Sequence, residues 1–329
     1  QERDDVRACN LSYLQTDWYI DQMKRPYYNS PGLPISWEYK DYMPGKNEIA
    51  WVENRLNAPL EVKKAFQFLL SDDPRTKRDG ESYIPTDQLY VLSPDSQQIM
   101  FKKARRFTRS EMMVMEMLST NQWKRPMYFA VTIGEDYHLG LNPYLELTGM
   151  AYRITPERSK DGKPRVNTEV MYDNMLHKFK YGNMNVPGIY IDENTMRMCR
   201  THRMMFSQLA EALYYEGKRD KALEVLDYAE EMLPGYNVPY DYTSGTMAAL
   251  YYAMDEMEKG NAIMAVLADN CVEYMEWGAS LSAPERKASQ STLGHYSAVL
   301  GFVLNNLQRF EQKELFNKYF ALYNQYASR

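Results

Sequence analysis

The sequence predicts an α/β layer followed by an all-α domain of helical hairpins, and three observations carry that prediction. Short apolar runs that suit strands, such as Leu89–Leu92 and Met127–Ile133, occur in the first half and vanish later. From Asn167 onward the apolar residues fall at helical spacing over long stretches. Between Phe206 and Pro234, small and large residues occupy the fixed positions of a repeating helix pair. The expected boundaries are 1–158 for the α/β domain, with a few-stranded, mostly parallel sheet. Residues 159–193 form a linker and connecting helix, and 194–329 form the helical repeats.

Taken in order, Val6–Ser12 is the expected first strand, and Thr16 or Asp17 the N-cap of a helix, Trp18–Met23, stopped before Pro26. Pro26–Gly45 is rich in Tyr, Pro and Gly and reads as an aromatic-pinned loop. Asn57 is the expected cap of a helix whose apolar stripe is Val62, Ala65, Phe66, Leu69 and Leu70. Ser71–Ser82 is polar and turn-rich, Leu89–Leu92 is strand-like, and the basic run Lys102–Arg109 reads as a solvated face.

The centre of this half is Thr108–Gly134. Thr108 and Glu111 stand at capping-box spacing, and Met112–Leu118 leaves almost no polar face, so a buried helix is expected. Pro126 ends the helical pattern, and the apolar run Met127–Ile133 suits a strand covered on both faces, as in a parallel sheet. Pro143–Thr148 reads as a short helix, Met150–Ile154 as a strand, and Ser159–Arg165 as a polar connection.

In the second half, Asn167–Tyr181 reads as a helix and Gly182–Ile191 as a linker. Phe206, Leu209, Ala210, Gly217, Ala222, Leu226, Ala229 and Pro234 match a tetratricopeptide repeat. The alanines are small where two helices approach, Phe206 and Leu226 fill the space beside them, Gly217 turns the chain, and Pro234 ends the second helix. Tyr242–Trp277 keeps the outline with Ala248, Tyr251 and Gly260, but departs at Leu267 and Val272, so its second helix should run longer. Ser289–Leu307 and Phe310–Tyr326 have the look of a terminal cap. Such a surface binds a protein or peptide.

At 329 residues the chain is long enough for two cores. Its 39 basic and 44 acidic residues give a net charge of −5, which argues against nucleic acid or an anionic membrane as partner. Cys9, Cys199 and Cys271 are odd in number, far apart and without CxxC, so neither a disulfide framework nor a structural zinc site is expected. Three buried thiols is the simpler view, with one pairing left open. No run approaches the length of a membrane span, and no signal-peptide pattern is present. The chain opens on Gln1 rather than Met, so a preceding segment is expected.

Two groups of residues are candidates for ligand binding. Asn10, Thr16, Asp17 and Trp18 lie where the first strand should meet its helix, a place able to hold an anion or a sugar hydroxyl. The competing reading makes Thr16 or Asp17 a cap and Trp18 a core residue. Glu135, Asp136 and His138 follow the central strand, at the sheet edge that ligands favour, and are chemically able to bind a metal. The competing reading makes them caps and solvent contacts, the common role of acidic residues in a strand-to-helix turn. Trp123, Lys124 and Arg125 are expected to pin their turn or to meet a missing segment. His177, His202 and His295 are scattered singly, and no GxSxG, phosphate-cradling glycine loop or HExxH occurs. No catalytic residue, metal or cofactor is expected.

Four phrases carry a family resemblance: Asp5–Arg25, Asn121–Pro156, Asn167–Met175 and Arg197–Leu209. In them the chain resembles a bacterial family of multi-spanning membrane proteins related to protein O-mannosyltransferases, with a type C glycosyltransferase-like membrane region and a tail outside it. The resemblance covers most of the chain. It implies a non-catalytic extracytoplasmic tail on the periplasmic side of a bacterial inner membrane, tethered through an N-terminal transmembrane region missing here. It also implies that the tail recruits or positions an acceptor protein, while the catalytic acid and the lipid-linked sugar site lie in the membrane half. Two other readings stay open: a stand-alone tetratricopeptide-type scaffold for a peptide, and an independent sugar-active α/β enzyme.

Overall fold

The computed structural model describes residues 6–27 and 29–327; Gln1, and the Asp5 that opens the first family phrase, lie outside them. The chain forms two compact units, residues 1–147 with 151–165, and 148–150 with 166–329.

In the first unit a 3-10 turn, Ser12–Gln15, leads into helix α1, Asp17–Lys24, and then a one-turn helix α2, Tyr39–Tyr42. Strands β1 (Ile49–Val52) and β2 (Leu60–Glu61) precede helix α3, Val62–Leu70. Strands β3 (Lys77–Arg78), β4 (Glu81–Ile84), β5 (Leu89–Leu92), β6 (Gln98–Met100) and β7 (Arg106–Thr108) lead to helix α4, Arg109–Asn121. Strands β8 (Tyr128–Ala130), β9 (Leu145–Leu147), β10 (Ala151–Ile154) and the edge pair β11 (Arg165–Val166) follow.

The α/β class holds, but the mostly parallel sheet does not. Three small sheets run in the orders β3-β4-β1-β7, β2-β5-β6 and β11-β9-β10-β8. β1 with β4 and β2 with β5 pair in parallel, whereas β1 with β7, β3 with β4, β5 with β6, and β10 with both β8 and β9 are antiparallel. The cause is connection length: β9 and β10 are joined by residues 148–150 alone, whereas a parallel pair needs a crossover of about a dozen residues.

Other local expectations change for stated reasons. Val6–Ser12 is not a strand, because the Asn10 side chain accepts the Tyr13 N–H and turns the backbone locally. Met127–Ile133 gives only the three-residue β8; it is the end strand of its sheet, with Tyr128 and Ala130 exposed about a buried Phe129, and the Ile133 N–H turns back to the Ala130 carbonyl. Asn57 does not cap α3, since β2 intervenes and Glu61 precedes the helix. Pro143–Thr148 is a 3-10 turn, Asn142–Tyr144, followed by β9, where Leu145 and Leu147 alternate inward.

Helix α4 forms as its sequence requires. Thr108 Oγ1 accepts the Glu111 N–H, and Glu111 Oε2 accepts the Thr108 N–H at 2.9 Å. Met112, Met113 and Met115 are fully buried. Two charged residues of α4 are buried as well, and each ties distant loops to it. Arg109 donates to the carbonyls of Gln15, at 2.7 Å, and Lys46; Glu116 accepts from the Ser36 N–H at 2.8 Å and Oγ at 2.6 Å.

The second unit is helical. Helix α5, Thr168–Tyr172, runs into a wider π-type turn, Asp173–Lys178. Helices α6 (Glu193–Tyr215) and α7 (Arg219–Met232) form one hairpin, and α8 (Tyr242–Ala253) and α9 (Met257–Ser280) a second. A short α10, Ala283–Ala288, precedes the pair α11 (Gln290–Arg309) and α12 (Lys313–Ala327). Phe206, Leu209, Ala210, Ala222, Leu226 and Ala229 are buried between α6 and α7, and Gly217 turns with a φ of +75°. At Gly260 a Cβ would meet the Tyr252 ring at 2.4 Å, so α8 and α9 touch where only glycine fits. Arg203 is fully buried and donates to the carbonyls of Leu233 and Val238 at 2.7 Å and Pro239 at 3.1 Å, which caps the end of α7.

Cys9, Cys199 and Cys271 are all free, and Cys9 is part-exposed rather than buried. Among the described residues, no helix is long and apolar enough to cross a membrane.

Candidate functional site

The sequence turns sharply after α4. Gln122 and Trp123 both take positive φ, +47° and +61°, and the Trp123 indole N–H pins the turn by donating to the Leu92 carbonyl at 2.8 Å. The Asn121 side chain then grips the next backbone: its Nδ2 donates to the Arg125 carbonyl at 2.6 Å and its Oδ1 accepts the Arg125 N–H at 3.1 Å. This holds the entry to β8 beside α4 and leaves a cleft of about 510 Å³ within the first unit.

The floor of the cleft is apolar, with Val114, Met117, Phe129 and Ile154 all nearly buried. The segment Val6–Cys9 forms one rim and β8 another. Its polar side chains face inward commitments. Arg125 donates to Ser30 Oγ at 3.0 Å and to the Pro31 carbonyl at 3.3 Å; Arg7 donates to the carbonyls of Gln22 and Arg25. Burial pushes the Cys9 thiol up to about 11, against smaller lowering effects of Tyr19 and Arg7, so at neutral pH it is a protonated thiol rather than a nucleophilic thiolate. The site is therefore suited to receiving apolar groups. An end strand at its rim also offers a place where an extended segment can add.

Asn10 precedes the 3-10 turn and Thr16, Asp17 and Trp18 stand at the start of α1; Asn10 and Trp18 are exposed, and Thr16 and Asp17 are half-buried. Thr16 makes no capping bond to α1 and instead donates its hydroxyl to the Tyr13 carbonyl at 2.7 Å. Asp17 accepts from Tyr39 Oη at 3.0 Å, and its carboxylate already stands at the first turn of α1. Trp18 is not a core residue: Tyr19 and Ile20 take the buried side of this short helix and leave Trp18 exposed.

Glu135, Asp136 and His138 form a 3-10 turn after β8 but do not converge. His138 is buried against Phe129 and Tyr152, with Nδ1 at 2.8 Å from Asn142 Oδ1, while Glu135 and Asp136 face solvent. Among the described residues no three His, Cys, Asp or Glu side chains are placed to hold a metal. His177 pairs with Asp173 on the surface, and His202 sits between Phe179 and Tyr181, where burial lowers its pKa.

Sequence reasoning missed the cleft. The turn Trp123–Pro126 was visible, but the packing of Val6–Cys9 near α4 spans more than a hundred residues and leaves no periodic trace. No curated protein and no solved structure matches the chain. A family model described as TMEM260-associated domain 2 matches residues 1–174, more than half of the 329 and inclusive of every residue of the cleft, and the chain belongs to that family.

Proposed function

We propose that this chain is a non-catalytic binding part of a glycosyltransferase-like membrane protein, recruiting or positioning a partner polypeptide such as an acceptor. The family ties the chain to a membrane protein. The observation that carries the rest is the cleft: an apolar floor, an end strand at the rim, and polar side chains already hydrogen-bonded within the chain. That is the chemistry of peptide recognition rather than of proton transfer. In this proposal the chain works on the extracytoplasmic, periplasmic side of a bacterial inner membrane, tethered by a transmembrane region of the same protein.

A peptide display library screened with the whole chain tests this. Ala130 is exposed and lines the cleft, so Ala130→Trp fills it without touching the core. Enriched peptides should carry apolar residues, and the variant should weaken them by about tenfold, the worth of one buried apolar side chain. Failure to enrich, or enrichment indifferent to the variant, would overturn the proposal.

A second reading places the peptide on the helical unit as a tetratricopeptide-type scaffold. It is favoured by the small residues Ala210, Ala222 and Ala229 buried at the close approach of α6 and α7. Enriched peptides indifferent to Ala130→Trp would redirect attention there.

A further inference from the structure

Tyr13, Trp18 and Tyr39 are each more than half exposed, at 52%, 56% and 52%. They form one face: the Tyr13 and Trp18 rings lie 5.9 Å apart, and Tyr39 Oη joins Asp17, the residue before Trp18, at 3.0 Å. Exposed aromatic surface of this extent marks an interaction site, and Trp and Tyr are the side chains most enriched in such sites.

The charges around the face decide what it fits. Asp17, Asp21, Glu38 and Asp41 are the acidic groups. Arg25 is paired with Asp21, Lys40 with Glu38 at 3.0 Å, and Lys24 Nζ is turned to the Trp37 carbonyl. Asp41 is engaged in holding the Glu38 N–H at 2.8 Å. Asp17 has the Tyr39 hydroxyl and forms no ion pair with a basic side chain among the described residues. The buried Arg109, whose field reaches Asp17, is engaged with the carbonyls of Gln15 and Lys46. The Tyr39 hydroxyl is held above the usual tyrosine range, first by its bond to Asp17, with Asp17 and Asp21 adding charge. The face is therefore aromatic, with Asp17 as a carboxylate that has no ion-pair partner among the described residues, and aromatic ring faces beside a carboxylate are complementary to a cation.

We propose that the Tyr13–Trp18–Tyr39 face docks an arginine- or lysine-bearing segment of a partner polypeptide, with Asp17 as the counter-charge. Arginine suits it best, because a guanidinium stacks on a ring and bonds a carboxylate at once. This docking uses none of the cleft residues and stands or falls apart from the cleft reading.

The test uses the whole chain and a fluorescent peptide with two arginines. Its citrulline counterpart keeps the shape without the charge, and a neutral oligosaccharide is the third probe. The arginine peptide should bind, weaken as salt is raised, and weaken by about tenfold in both Asp17→Asn and Trp18→Ala. Tyr39→Phe, which frees the Asp17 carboxylate, should bind at least as well as the parent. Circular dichroism checks that each variant folds, and Trp18→Phe replaces Trp18→Ala if that one does not. Equal binding of the citrulline peptide, binding of the oligosaccharide alone, no binding of the arginine peptide, or indifference to Asp17→Asn would each overturn the proposal.

Discussion

Arg109 and Arg203 perform one task in two different ways. Both are buried, and both spend their guanidinium groups on backbone carbonyls. Arg109 reaches Gln15 and Lys46, 94 and 63 residues away, and so ties separate loops of the first unit to one helix. Arg203 reaches Leu233, Val238 and Pro239, 30 to 36 residues away, all at the end of one hairpin. The first unit is thus fastened through long-range polar ties onto α4, and the second through contacts between neighbours in sequence. The contrast suggests a single cooperative body beside a more modular one.

The sharpest way to break this comparison is to remove both arginines in turn. Arg109→Met keeps the stem but leaves the Gln15 and Lys46 carbonyls unpaired, and should cost about 4 kcal/mol in urea unfolding. Native-state hydrogen exchange should show lost protection spread over α1, β1 and α4. Arg203→Met should confine the loss to α7 and the start of α8; a loss spread over the whole helical unit would sink the modular view. Next in size, Gly260→Ala forces the Tyr252 ring aside and should cost about 2 kcal/mol, read as a lower melting temperature.

The smallest effect is one of pH. Burial holds the pKa of His202 below its ordinary value, so the folded chain binds fewer protons there than the unfolded chain. Its contribution is therefore present above the unfolded pKa of about 6.5 and is lost as the pH falls through it. His202→Phe should flatten the decline in melting temperature on acidification; an unchanged slope would assign that decline to other groups.

The same contrast explains what could be read from the sequence. Helix α4 was legible because its cap and its apolar run are local, but Arg109 inside it gave no sign of its burial. The hairpin from Phe206 to Pro234 was legible because its helices pack against near neighbours at fixed spacing. Helix α10 was overlooked although Ser282 and Glu285 form a capping box around Pro284. Among the candidate site residues, the exposure of Trp18 depends on which side α1 buries, and so short a helix does not signal that side in its sequence. The cleft is a product of distant chain segments, and no local pattern encodes it.

Cys9 gives the cleft a gauge of its own. With its thiol near 11, roughly one molecule in a thousand carries the thiolate at pH 8, so alkylation there should be slow and should quicken about tenfold for each unit of pH. Cys199 and Cys271 are buried, and Cys271 is pushed up to about 12, so both should lag behind it. Cys9 lines the cleft, so an occupant seated against it should slow its labelling in proportion to the fraction bound. A thiol-reactive mass tag can therefore follow occupancy on the unaltered chain, before any partner has been identified.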